Sequence, residues 1–139
     1  MDAEGVIDAS VLAAAFFTED GSPEARAYLK RGPRLIAPEL LRLEIASIAA
    51  KKVWKGEASL EAGSRALRAI DEFVISTHGG DALIERVFVL AATHRFSAYD
   101  AAYLALAELE QVPVMTFDQK LIARANEAGL GALVARPSG

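Results

Sequence analysis

Gly5-Val6-Ile7-Asp8 is a short apolar run closed by an acid, and Val11 to Phe17 continues after Ser10 with a different, helix-compatible pattern. The pair reads as a strand feeding a helix. Leu35-Ile36-Ala37 repeats the arrangement, with Pro38 and acidic Glu39 reading as the first turn of a helix that runs to about Lys55, ahead of Gly56. Ala58 to Phe73 has helical spacing, Val74 to Ser76 reads as a brief third strand, and Asp81 to His94 as a helix after the Gly79-Gly80 break. Ser97 opens a further helix to about Glu110. Val112 to Thr116 is then a strand, Gln119 to Ala128 a helix closed by Gly129, and Leu133 to Ala135 a last strand. Strands alternating with helices of this length predict an α/β fold, a parallel sheet covered on both faces with right-handed crossovers. In such sheets ligands bind beyond the carboxyl ends of the strands, where the strand order reverses.

A chain of 139 residues is the length of one domain, spanning 1–139, so a single core must hold whatever chemistry it carries. No segment approaches the roughly 20 uninterrupted apolar residues of a membrane span. The acidic start MDAEGVIDAS does not look like a secretory signal, and a soluble cytoplasmic protein is expected. The absence of cysteine excludes disulfides, thiolate zinc sites, iron-sulfur clusters and a cysteine nucleophile. Two histidines, His78 in an expected loop and His94 at a helix end, leave little for imidazole chemistry. Any metal would be bound by oxygen. A net charge of -4 argues against a surface coated for tight non-specific nucleic-acid binding, while leaving room for local basic patches.

Four carboxylates interrupt segments that are otherwise hydrophobic: Asp8, Glu44, Asp100 and Asp118. Each has an ordinary explanation. Asp8 and Asp118 follow strands and precede helices, where an acid caps the helix by accepting a backbone N–H. Ser97-Ala98-Tyr99-Asp100 matches a capping box, which alone predicts an exposed Asp100. Its face, however, carries Phe96, Tyr103 and Leu104 on a helix apolar nearly all round. Glu44 shares its face with Leu40, Leu41, Ser47 and Ile48, none of them a cation, and a buried carboxylate without a partner costs several kcal/mol or takes up a proton. The set says more than its members. Converging carboxylates repel by a few kcal/mol per pair at an effective dielectric near 20, so they need a cation to stay ionised. All-oxygen donors select a hard divalent ion, Mg²⁺ or Mn²⁺. Lys51, Lys52 and Lys55, with Arg65 and Arg68 on the next helix, form either a solvated face or an approach for phosphates. Phe16, Phe17, Trp54 and Phe73 read as core or subunit interface.

Four segments, in order, resemble the PIN domain, a metal-dependent ribonuclease fold, and most closely its small bacterial VapC-type toxins. They are Val6 to Ser10, Pro38 to Glu44, Ser97 to Ala107, and Val114 to Leu121. The resemblance covers nearly the full length and implies a five-stranded parallel sheet between helical layers. It implies a metal site of Asp8, Glu44, Asp100 and Asp118, with supporting hydroxyls at Ser10 and Thr116, Thr116 being the one expected to touch the acids. It also implies an endoribonuclease acting as the toxin of a type II toxin-antitoxin pair, a homodimer, and an antitoxin whose tail covers the active site. Two rivals stand beside it. One is a catalytically silent PIN-like binding module. The other is a phosphoacceptor signalling domain, resembling the receiver family, which needs paired acids after the first strand and a Lys after the last. Here Asp8 is followed by Ala9-Ser10, and the last strand by Arg136-Pro137.

Overall fold

The structure, a computed structural model, describes residues 2–138. The chain runs β1 (Gly5–Ile7), α1 (Ala9–Phe16), α2 (Ser22–Lys30), β2 (Leu35–Pro38), α3 (Leu40–Trp54), α4 (Leu60–Phe73) and β3 (Val74–His78). It continues through a 3-10 turn (Gly80–Ala82), α5 (Ile84–His94), α6 (Ala98–Glu110), β4 (Val114–Met115), α7 (Gln119–Glu127), a second 3-10 turn (Gly131–Leu133) and β5 (Val134–Ala135). The five strands form one wholly parallel sheet in the order β3-β2-β1-β4-β5. Every residue of β1 and β2 is buried, as befits central parallel strands with both faces covered. The α/β expectation therefore holds.

The order of the strands explains where a site can form. The chain builds outward from β1 to β3, then returns to the other side of β1 to add β4 and β5. The reversal lies between β1 and β4, so their carboxyl ends diverge into a crevice. The two strands lie close: a Cβ on Gly5 would meet Met115 Cγ at 2.9 Å and the Pro113 carbonyl oxygen at 3.3 Å, so only glycine fits there without a shift. Their ladder registers Val6 with Val114 and Ile7 with Met115, and Asp8 N–H extends it to the Met115 carbonyl at 3.1 Å.

Helix α6 runs behind the sheet, with Tyr103, Leu104, Ala105, Leu106 and Ala107 all buried. Burying a leucine such as Leu104 contributes about 1.5–3 kcal/mol, so a helix apolar on nearly every side is held firmly in place. That rigidity fixes Asp100 in its first turn.

Some elements differ from the sequence reading. Helix α2 was not expected. Gly21 at φ 87 opens it, Pro23 sits in its first turn beside Glu24, and Ala25, Tyr28 and Leu29 form its buried face. Pro38 ends β2 instead of opening α3, and His78 closes β3 instead of lying in a loop. β1 pairs with β2 only as far as Ile36, so on that side Pro38 withholds no needed donor. Leu133 belongs to a 3-10 turn, and Trp54 is 78% exposed, outside the core.

Candidate active site

Asp8 occupies the N-cap position of α1, yet its side chain makes no cap bond. Its Oδ2 instead accepts the Thr116 hydroxyl at 2.6 Å and the Ser10 hydroxyl at 3.1 Å. Both hydroxyls serve twice. Thr116 Oγ1 accepts the Asp118 N–H at 2.9 Å, and Ser10 Oγ accepts the Phe117 N–H at 3.1 Å. With its proton given to Asp8 and its lone pairs taken by the next loop, each hydroxyl ties the β1 end to the β4 end. Thr116 is fully buried, so its orientation is not free. Ser10, expected to be the lesser of the two, contacts the acid as well.

Glu44 projects from α3 half-buried, and its Oε1 accepts the Tyr103 hydroxyl of α6 at 2.5 Å. Tyr103 was legible only as a face neighbour of Asp100; its position three residues on, one helical turn, was the available signal. Asp100 is half-buried in the first turn of α6, where its N–H donates to Ser97 Oγ at 3.1 Å. The capping-box reading alone would have left it exposed. Asp118 does what the ordinary reading asked: its Oδ1 accepts from Lys120 and Leu121 N–H at 3.0 and 3.1 Å, capping α7 at an exposed position.

Electrostatics links the four. Burial pushes the Asp8 carboxyl above its ordinary value, the two hydroxyls oppose that, and Asp118 adds repulsion. Burial likewise raises Glu44, against the Tyr103 bond and with repulsion from Asp8 and Asp100. Asp100 is raised by burial first, then by Asp118 and Asp8, while Arg124 of α7 eases it. Burial and the neighbouring Glu44 carboxylate keep the Tyr103 hydroxyl protonated. Each acid is thus within repulsive range of at least one other, and three are shifted toward the protonated state. Their donor set is all oxygen, which fits a hard divalent cation. Among the described residues, however, no three Asp, Glu or His side chains are already drawn together as a finished metal cage.

The remaining candidates fall elsewhere. His78 pairs with Ser76 at 3.0 Å, and His94 lies in the last turn of α5. Lys51, Lys52 and Lys55 line a cleft that also contains Ser10, whereas Arg65 and Arg68 do not; Arg65 pairs with Glu61 at 3.1 Å. An apolar groove of about 710 Å³ between α3, α5 and α6 contains none of the four acids, so its size does not mark the chemistry.

The PIN domain family model matches residues 5–127. Ribonuclease VapC3 of Pyrobaculum aerophilum is 30% identical over 118 residues, 84% of this chain and 90% of that protein. Ribonuclease VapC9 of Mycobacterium tuberculosis is 34% identical over 116 residues, 84% of this chain and 87% of that one. Among solved structures, a chain of a toxin-antitoxin complex from Klebsiella pneumoniae superposes with a TM-score of 0.69 at 21% identity, over 94% of this chain and 96% of that one. At that identity the likeness speaks to the fold alone. Since the family model spans all four acids and both strands of the crevice, the chain belongs to the PIN domain family.

Proposed function

We propose that this protein is a metal-dependent endoribonuclease and the toxin of a type II toxin-antitoxin pair, acting as one domain over 1–139. The observation that carries the reading is Asp8: a half-buried carboxylate that forgoes its own helix cap and is supplied with two hydroxyl donors. PIN-domain ribonucleases generally depend on a divalent metal. Asp8 and Asp100 would be the central ligands for Mg²⁺ or Mn²⁺, with Glu44 and Asp118 completing the shell directly or through water. A bound ion there would supply the positive charge the acids lack and lower the pKa of the water that attacks the RNA phosphodiester.

The chain's own residues do the rest. Thr116 and Ser10 hold Asp8 Oδ2 in one orientation and favour its ionised form. Tyr103 does the same for Glu44 through Oε1. Glu44 Oε2 and Asp118 Oδ2 accept no hydrogen bond from the described residues, and either would serve to orient or deprotonate the attacking water.

Support for a protein partner comes from the surface. Leu43, Ile84 and Tyr99, 75%, 62% and 66% exposed, line one apolar groove that a protein partner would cover. A homodimer and an antitoxin are both consistent with it, and the toxin-antitoxin relative supports the latter. No helix among the described residues is long and apolar enough to cross a membrane. The test is cleavage of a panel of structured RNAs by purified, antitoxin-free protein in Mg²⁺ or Mn²⁺, beside EDTA. Metal-dependent cleavage is expected. Metal binding with no cleavage of any RNA would favour the silent binding module instead.

A further inference from the structure

The lysines of α3 lie on a line with Glu44. Ser47, Ile48, Lys51 and Lys55 follow Glu44 at three, four, seven and eleven residues, so they share one face of the helix. Along the axis Lys51 lies ~10 Å and Lys55 ~16 Å beyond Glu44. Their side chains line a cleft of about 340 Å³ together with Lys52, Ile48 and Ser10. Ser10 is the link, because it lines this cleft and its hydroxyl donates to Asp8. The cleft therefore begins at the acid site and leads away from it along α3.

Charge along the cleft is not fully compensated. Lys52 is spoken for: it pairs with Glu19 at 2.8 Å and lies over the Phe17 ring at 5.4 Å, its side chain only 15% exposed. Glu57 also lines the cleft and offsets part of the remaining charge. Lys51 and Lys55 are exposed and form no ion pair among the described residues. In a chain of net charge -4, two unpaired cations one helical turn apart beside an acidic centre are placed to meet an anion that the acids themselves repel.

We propose that Lys51 and Lys55 bind successive backbone phosphates of the RNA on one side of the scissile bond, making α3 both the carrier of Glu44 and the guide for the strand. This rests on the ribonuclease reading. The two cations are about 6 Å apart along the helix, a separation that adjacent phosphates of an extended strand can match. Such contacts carry no base preference; they fix register and raise affinity in a salt-dependent way. A shorter RNA ending before the first lysine would gain nothing from them.

The experiment separates the guide from the chemistry. Binding of a fluorescently labelled single-stranded RNA of mixed sequence is followed by anisotropy across a salt series in the Asp8→Asn protein, with and without Lys51→Gln and Lys55→Gln. Thermal unfolding checks that each variant is folded. In the cleaving protein the same lysine pair is read by KM and kcat. The double variant is expected to bind about tenfold more weakly at low salt and to lose about 1.4 from the slope of log affinity against log salt. KM should rise with kcat little changed, and an RNA too short to reach Lys51 should show no difference. Arg65→Gln with Arg68→Gln removes the same charge from α4 and should leave binding as it was. Lysine-dependent binding without any cleavage would support the guide while overturning the nuclease reading. Unaltered binding in the lysine pair, equal loss in the arginine pair, or no RNA binding by the parent protein would overturn the guide, leaving the cleft to another occupant such as an acidic protein segment.

Discussion

At the β1–α1 junction and at the β4–α7 junction the chain does the same thing: a parallel strand ends, an aspartate takes the N-cap position and a helix begins. Asp118 behaves as that grammar says, accepting two backbone N–H groups from an exposed position. Asp8 does not. It lies inside the crevice, leaves the helix uncapped, and receives its hydrogen bonds from Ser10 and from Thr116 on the other strand. The two donors do not fully offset burial, since the carboxyl remains above its ordinary value. An acid placed at such cost and not spent on its own helix is what the proposed metal site requires. The two junctions show one sequence pattern spent on a helix cap in one place and withheld from it in the other.

The sharpest way to break the comparison is Asp8→Asn. Amide oxygen can still accept from Thr116 and Ser10, so the fold should survive with a urea midpoint no lower than that of the parent. RNA cleavage should fall about a thousandfold or more, ~4 kcal/mol of lost transition-state stabilisation. Normal cleavage by this variant would remove Asp8 from the chemistry.

Thr116→Val tests the tie between the junctions. It removes the donor to Asp8 and the acceptor of the Asp118 N–H from a fully buried position. Chemical denaturation should register a loss of about 1–3 kcal/mol, with cleavage reduced alongside. A neutral result would mean the hydroxyl bridge contributes nothing. At the other junction, Asp118→Ala should cost ~1 kcal/mol through loss of the α7 cap, while Asp118→Asn keeps the cap and most of that stability. If Asp118 belongs to the metal shell, the Asn variant will still cleave poorly despite its intact helix; full activity would confine Asp118 to capping.

The smallest effect is in the pH dependence of the metal-free protein. Asp8, Glu44 and Asp100 hold protons more tightly folded than unfolded. Between the ordinary carboxylate values and those raised values the folded state binds more protons, so stability from these groups falls as pH rises through the raised values and returns on acidification. Urea midpoints in EDTA should therefore show this downward trend in the parent, shallower in Asp8→Asn. Parallel curves would deny Asp8 a raised value.

Much of this was legible because a charge in an apolar segment is a local anomaly. The strand-helix alternation follows from periodicity, and Asp8, Glu44, Asp100 and Asp118 stand out against Val6-Ile7, Leu40-Leu41, Tyr103-Leu104 and Thr116-Phe117. What escaped was carried by tertiary contact or by weak periodicity. Helix α2 is largely polar, with only Ala25, Tyr28 and Leu29 as a buried apolar face, and its Gly21-Ser22-Pro23-Glu24 opening was the sole firm signal. Pro38 looked like a helix opener because nothing local reveals that β1 stops short of it. The Tyr103 bond to Glu44 joins residues 59 apart and has no trace in either segment alone. Which aspartate caps and which is withheld is likewise a property of the strand order, which brings Thr116 beside Asp8.

Whether the acids around Asp8 hold a divalent cation is read by calorimetric titration with Mn²⁺ of the parent protein, of Asp8→Asn and of Lys51→Gln/Lys55→Gln. Binding should be saturable in the parent, abolished in Asp8→Asn and unchanged in the lysine variant. Equal Mn²⁺ binding by the parent and Asp8→Asn would contradict the proposed metal site.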